Sequence, residues 1–226
     1  MKSFIIYLSK IPSSTETALK LKHRLDEFNM PVELFEGTYG TDAVRMMEEE
    51  NRTWHPFGIK GPDVVPDPDA PPSQKGNTPG VKGCFYSHYR LWQKCVELNE
   101  PIIIWEDDIV LTRPYLPIDW TDVLILALGH PSKTEKYRHY LESPEGDPRP
   151  EAYFQSSMPG CCGYALKPHA AKKLIDTYKN TFLPADNAIN QHHVIIEIHS
   201  HVMGIALIKK DGKKSLTRTS FWDTYK

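Results

Sequence analysis

The chain has 226 residues, 40% of them hydrophobic, enough to fill a proper core. Its 27 Lys+Arg nearly balance 29 Asp+Glu for a net charge of −2, which excludes a non-specific nucleic-acid coat. Four cysteines, two of them adjacent (Cys161 and Cys162), form neither a disulfide framework nor a CxxC zinc pattern, so they read as reduced thiols and point to the cytoplasm.

Phe4 to Leu8 reads as a buried first strand, too short for a membrane span or a signal peptide. Ser13 and Glu16 have capping-box spacing, and Ala18, Leu21, Leu25 and Phe28 line one face of the helix that follows. Val32 to Phe35 is a second strand. The three elements make a βαβ opening and predict a parallel sheet. Thr41 is placed to cap a short helix reaching Glu50.

From His55 to Gly80 the chain carries seven prolines and four glycines and reads as a long loop, either a lid or an inert excursion. A helix is predicted over Val81–Asn99, with Val81, Cys84, Phe85, His88, Trp92, Cys95 and Val96 as its apolar stripe. Pro101 ends it. Ile102 to Trp105 is a buried strand that runs into Glu106-Asp107-Asp108, with Ile109 to Leu111 beyond and another strand over Val123–Leu128.

Pro131 to Pro159 is a second long loop. Gly160 to Leu166 reads as a tight turn or strand of small residues. Pro168 opens a helix carrying Leu174, Ile175 and Tyr178. Ala188 to Val202 is ambiguous, and Ile205 to Ile208 looks like the last strand. The whole, residues 1–226, reads as one α/β domain with a mostly parallel central sheet flanked by helices.

Three acids at the end of an apolar strand need a physical reason. Ligands bind at the carboxyl ends of strands in open α/β sheets. Packed carboxylates repel one another and are costly to desolvate without a cation. Oxygen ligands suit Mn²⁺ or Mg²⁺. If the segment stays extended, Glu106 and Asp108 share one face and Asp107 takes the other. A solvated acidic turn is the plain alternative, and phosphatases and nucleases use similar triplets.

Gly83-Cys84-Phe85-Tyr86-Ser87-His88-Tyr89-Arg90-Leu91-Trp92, then Pro101 to Trp105, then Glu106-Asp107-Asp108-Ile109-Val110-Leu111, resemble glycosyltransferase family 25 in order and spacing. Phe35 to Gly40, Gly160 to Leu166 and Pro184 to Asn190 extend the likeness. The family includes lipooligosaccharide and collagen galactosyltransferases. The resemblance implies a GT-A-like, Rossmann-like fold, a nucleotide-sugar donor of the UDP-sugar kind and inversion at the anomeric carbon. By that likeness Asp108 and Glu106 hold the metal, with His201 as a late third ligand. Tyr7, Thr38, Ser87, His88, Glu106, Asp107, Lys214 and Arg218 serve the donor.

The same likeness puts Gly163, Tyr164 and Asn187 by the acceptor, with Asp186 as general base. A helix N-cap is the plain alternative for Asp186, and a satisfied core histidine is that for His88. His199, His192 and His193 are weaker candidates. The implied acceptor is a saccharide. A hydroxymethylated pyrimidine in DNA, as for a viral enzyme, is a second reading, and a metal-dependent phosphohydrolase is a third. Lys10-Ile11-Pro12-Ser13-Ser14 departs from the family's arginine-rich first turn.

Overall fold

The computed structural model describes residues 1–54, 78–128, 158, 160–199 and 202–206. Its strands are β1 (Lys2–Tyr7), β2 (Glu33–Glu36), β3 (Thr53–Trp54), β4 (Ile102–Glu106), β5 (Ile109–Leu111), β6 (Val123–Leu128), β7 (Gly163–Leu166), β8 (Thr181–Phe182), β9 (Ile196–Ile198) and β10 (Gly204–Ala206). The helices are α1 (Pro12–Glu27), α2 (Gly40–Glu49), α3 (Pro79–Leu98), α4 (Pro168–Thr177) and the single turn α5 (Ala185–Ala188).

One eight-stranded sheet has the order β2-β1-β4-β7-β6-β10-β5, with β9 paired to β6. The register makes β1, β2, β4, β6, β9 and β10 run one way, with β7 and β5 opposed. The sheet is therefore mixed but mostly of one direction. β3 and β8 form a separate parallel pair that the sequence pattern did not announce.

Alternation along the strands sorts two cores. Phe4, Ile102, Ile104, Val123, Ile125, Tyr164 and Leu166 face one way, into the core that α3 and α4 also fill. Ile5, Ile103, Trp105, Leu124, Leu126 and Ala165 face the other, toward Ala18, Leu21 and Leu25 of α1. Helices thus cover both faces, as the sequence predicts. Burying each such large apolar side chain contributes about 1.5–3 kcal/mol.

Several local expectations are corrected. α1 starts from Ile11 with no side-chain cap, because Pro12 opens it and Ser14 Oγ instead accepts from Leu8 N at 2.9 Å. α2 has Tyr39 at its N-cap, so Thr41 sits inside the first turn. α3 begins at Pro79, two residues before the predicted start, because Thr78 Oγ1 accepts from Val81 N at 3.2 Å. Its end is as expected: Asn99 takes a left-handed conformation, φ 50°, ahead of Pro101. Val96 leaves the stripe and is exposed. Within the ambiguous stretch, Ile196–Ile198 forms β9. The rest of both proline-rich loops, apart from Thr78 to Gly80 and Met158, lies outside the described residues, as do Leu207 and Ile208.

Gly163 shows how tightly β4 and β7 pack. A Cβ there would lie 2.5 Å from Trp105 Cε3 and 3.0 Å from Ala127 Cβ. The Trp105 indole occupies that space and donates to Ser3 Oγ at 2.9 Å. Gly163→Ala is expected to destabilise the fold by about 1–3 kcal/mol through overpacking, read as a lower urea midpoint at unchanged m-value.

Candidate active site at the carboxyl edge of the sheet

β1, β2 and β4 end at one edge of the sheet, delivering Tyr7, Glu36 and Glu106 there. Register fixes Glu106: it follows Ile102 and Ile104 in parity, so its carboxylate faces α3. The chain then leaves the extended conformation. Asp107 and Asp108 form a turn before β5, so the face-sharing expected of a continuous strand does not apply. Asp107 is drawn to the other side, where Thr17 Oγ1 of α1 donates to its Oδ2 at 3.1 Å.

Two α3 side chains one helical turn apart meet Glu106. Cys84 Sγ lies 3.8 Å and His88 Nε2 3.6 Å from Glu106 Oε1. His88 is 1% exposed; its Nδ1 shares a 2.9 Å hydrogen bond with Tyr164 OH, which also accepts from Trp92 Nε1 at 2.9 Å. Nε2 is buried without a hydrogen-bond partner. His88 is therefore a core histidine on one side and aims an unsatisfied nitrogen at Glu106 on the other.

The charges of Asp108 and Asp186 both reach Cys84 and Cys162, and that of Asp186 reaches His88 and Glu106. Asp186 therefore converges on the same place as Glu106 and Asp108. It lies in the first turn of α5, whose N-cap is Pro184 with no side-chain cap, so the plain reading of Asp186 as an N-cap is not what the fold uses it for.

Burial is the largest influence pushing the Glu106 carboxyl up to about 8, aided by the charges of Asp107 and Asp186 and opposed by hydrogen bonds from Cys162 and Cys84. Its side chain is 28% exposed, so it still meets solvent. Burial drives His88 down to about 4, with Asp186 opposing. Both shifts favour the uncharged forms of the pair, despite its spacing. The site gathers more negative charge than it can keep ionised alone. A divalent cation relieves that condition, so these residues fit one.

The other predicted residues lie at several separate places. Ser87 Oγ accepts from Thr38 N at 2.8 Å and donates to Gly83 O at 2.7 Å, which pins the loop carrying Thr38 to α3. Tyr7 ends β1, where burial first and then Glu36 raise its phenol. Tyr164 is fully buried and Gly163 is packed on Trp105, both beneath the edge. Asn187 N donates to Pro184 O at 2.8 Å within the turn of α5. His199 is buried at the end of β9, with both ring nitrogens lacking a hydrogen-bond partner. His192 is exposed, and His193 packs edge-on against Tyr178. His201, Lys214 and Arg218 lie outside the described residues.

Sequence reasoning missed Cys84 and Cys162 as neighbours of Glu106. The spacing of Cys84 to His88 on a helix carried that signal for the first. It also missed Tyr39, whose OH accepts from Lys10 N at 2.7 Å and donates to Glu36 Oε1 at 2.9 Å, tying the loops after β1 and β2 together.

A mostly one-directional α/β sheet with helices on both faces and acids where β4 runs out is a GT-A-like arrangement. The chain belongs to glycosyltransferase family 25: the family described as "Glycosyltransferase family 25 (LPS biosynthesis protein)" matches residues 1–118. It is 32% identical over 124 residues to "Lipooligosaccharide biosynthesis protein lex-1" of Haemophilus influenzae, covering 50% of this chain and 40% of that protein. It is 30% identical over 105 residues to a "Glycosyltransferase 25 family member" of Aedes aegypti, covering 46% of this chain and 16% of that one. A 35-residue stretch is 57% identical to "Lipooligosaccharide biosynthesis protein lic2B" of Haemophilus influenzae, 15% of this chain and 13% of that protein. The chain therefore matches 40% or less of the length of these relatives.

The perturbed pair sets a pH dependence. The folded Glu106 binds a proton that the unfolded chain releases, so its contribution to stability falls as pH rises from 4.5 toward about 8. The folded His88 refuses a proton that the unfolded chain takes up, so its contribution falls as pH drops from 6.5 toward about 4. The two oppose below 6.5, and Glu106 alone acts above it. With chelator present, unfolding free energy is expected to decline between pH 6.5 and 8 by at most about 1.4 kcal/mol per unit. Glu106→Gln flattens that decline in urea titrations at the two pH values.

Proposed function

We propose that the protein transfers a sugar from a nucleotide-sugar donor of the UDP-sugar class to a hydroxyl of a saccharide acceptor, with inversion and with a divalent cation. The observation that carries this reading is the convergence of Glu106, Asp108 and Asp186 at the carboxyl edge of the sheet in a family 25 chain. Among the described residues no helix is long and apolar enough to cross a membrane.

Glu106 and Asp108 would hold Mn²⁺ or Mg²⁺. The bound cation would supply charge neutralisation for the departing diphosphate. Asp186 takes the proton from the acceptor hydroxyl as its oxygen attacks the anomeric carbon, and a single base suffices for inversion. Thr38, held by Ser87, and Tyr7 border the same edge and suit the nucleoside. Lipooligosaccharide stands in the names of two relatives, which favours a saccharide acceptor over a modified DNA base or a phosphoester.

Calorimetry with a panel of nucleotide sugars tests this directly. Donor binding is expected to need Mn²⁺ or Mg²⁺ and to disappear in Asp108→Ala. Asp186→Asn is expected to keep donor binding and lose about 10²–10⁴-fold in kcat. Donor affinity that survives complete metal removal would refute the metal-dependent scheme.

A further inference from the structure

We propose that Cys84, His88 and Glu106 form a second kind of cation site, one selective for a thiophilic divalent ion of the Zn²⁺ class. The three ligand atoms, one sulfur, one imidazole nitrogen and one carboxylate oxygen, lie within 4.8 Å of one another. Such a donor set differs in kind from the all-oxygen set that suits Mn²⁺ or Mg²⁺.

Two of the three ligand edges are close to those of a tetrahedral centre. Zinc bonds of about 2.3 Å to sulfur and about 2.0 Å to nitrogen and oxygen put the edges of a tetrahedron at roughly 3.3 Å for N···O and 3.5 Å for S···O. The observed N···O and S···O separations are 3.6 and 3.8 Å, so these two edges need to shorten by only about 0.3 Å, and the S···N edge lies within 4.8 Å. Cys84 and His88 sit on one face of α3 four residues apart, and Glu106 approaches from the end of β4. Three protein ligands leave the fourth position for water, reached through the partly exposed Glu106.

His88 supplies an independent pointer. Its ring is buried, and Nε2 has no hydrogen-bond partner although it lies 3.6 Å from Glu106 Oε1. A buried imidazole nitrogen left this way carries a desolvation cost that a metal bond removes. The remaining ring nitrogen meets Tyr164 OH, itself fixed by Trp92, which is the outer support that orients a ligating histidine. When the metal binds, the Cys84 thiol and the Glu106 carboxyl each give a proton to solvent, and no oxidant or reductant is involved. Glu106 is common to this site and to the Mn²⁺ or Mg²⁺ site proposed above. Mutual exclusion of the two cations therefore follows, and that consequence alone rests on the transferase reading.

The test uses the full chain stripped of metal, with no donor present, titrated with Co²⁺ as a spectroscopic stand-in and then with Zn²⁺. The expected result is one Co²⁺ per chain with intense tetrahedral visible bands and a near-ultraviolet sulfur-to-cobalt band, both bleached by Zn²⁺. Cys84→Ser is expected to lose the sulfur band and at least about tenfold in Zn²⁺ affinity, since removing a ligand costs no less than removing its support. Cys95→Ser, whose thiol meets the Glu100 and Leu166 carbonyls in its own corner of the core, retains both. A pale octahedral spectrum in the wild-type chain, or a sulfur band that persists in Cys84→Ser, overturns the proposal. Loss of Mn²⁺-dependent donor binding from the wild-type chain would refute the transferase scheme and leave this site untouched.

Discussion

Everything at the carboxyl edge depends on one constraint, the side-chain parity of β4. The alternation that seats Ile102 and Ile104 against α3 obliges Glu106 to face the same way. A carboxylate is thereby carried into an apolar wall, where an isolated negative charge costs several kcal/mol unless it is neutralised or paired. The cost is not incidental. It puts a group of shifted proton affinity within reach of Asp107, Asp186 and two α3 side chains, and such shifts gather at functional sites.

α3 is the element through which this constraint reaches the rest of the molecule. Gly83 allows its first turns to approach the backbone of Thr38, and Ser87 fastens that loop. Phe85 joins Tyr89, Trp92, Tyr178 and Phe182 in an aromatic cluster that anchors the helix to α4 and its neighbours. Cys84 and His88, on the remaining face, meet Glu106. The run from Gly83 to Trp92 is thus close approach, loop anchor, core and site interleaved at helical spacing, which is why so dense a signature sits in ten residues.

The layers of the fold were legible because hydrophobic periodicity carried them. The βαβ opening, α3, β4 and β6 all announce themselves through long apolar runs or stripes. Helix starts were less legible. The capping-box spacing at Ser13 and Glu16 lost to Pro12, which already sets the first-turn backbone, while Ser14 was recruited by Leu8. β3 and β8 are two residues each, too short for any period to show. In the site, the acids were found because three stand together. Their partition was hidden, since a turn after Glu106 sends Asp107 to Thr17 on the opposite face. The convergence of Asp186 and Cys162 on Glu106 is a matter of tertiary folding, with no local pattern to reveal it.

The approach of α3 to the loop after β2 has a mechanical consequence. A methyl group on Gly83 would stand 2.6 Å from the Thr38 carbonyl, and one on Gly40 would stand 2.6 Å from the Pro79 carbonyl, so main chain rests on main chain at both points. Such a seat has no side-chain rotamer to yield. The segment from Gly37 to Gly40 therefore travels only when the twenty-residue helix travels, and that helix is rooted in the aromatic core. This side of the edge is therefore held as a rigid wall by main-chain contact, whereas the Asp107–Asp108 turn is tied to α1 through a side chain, the Thr17 hydroxyl.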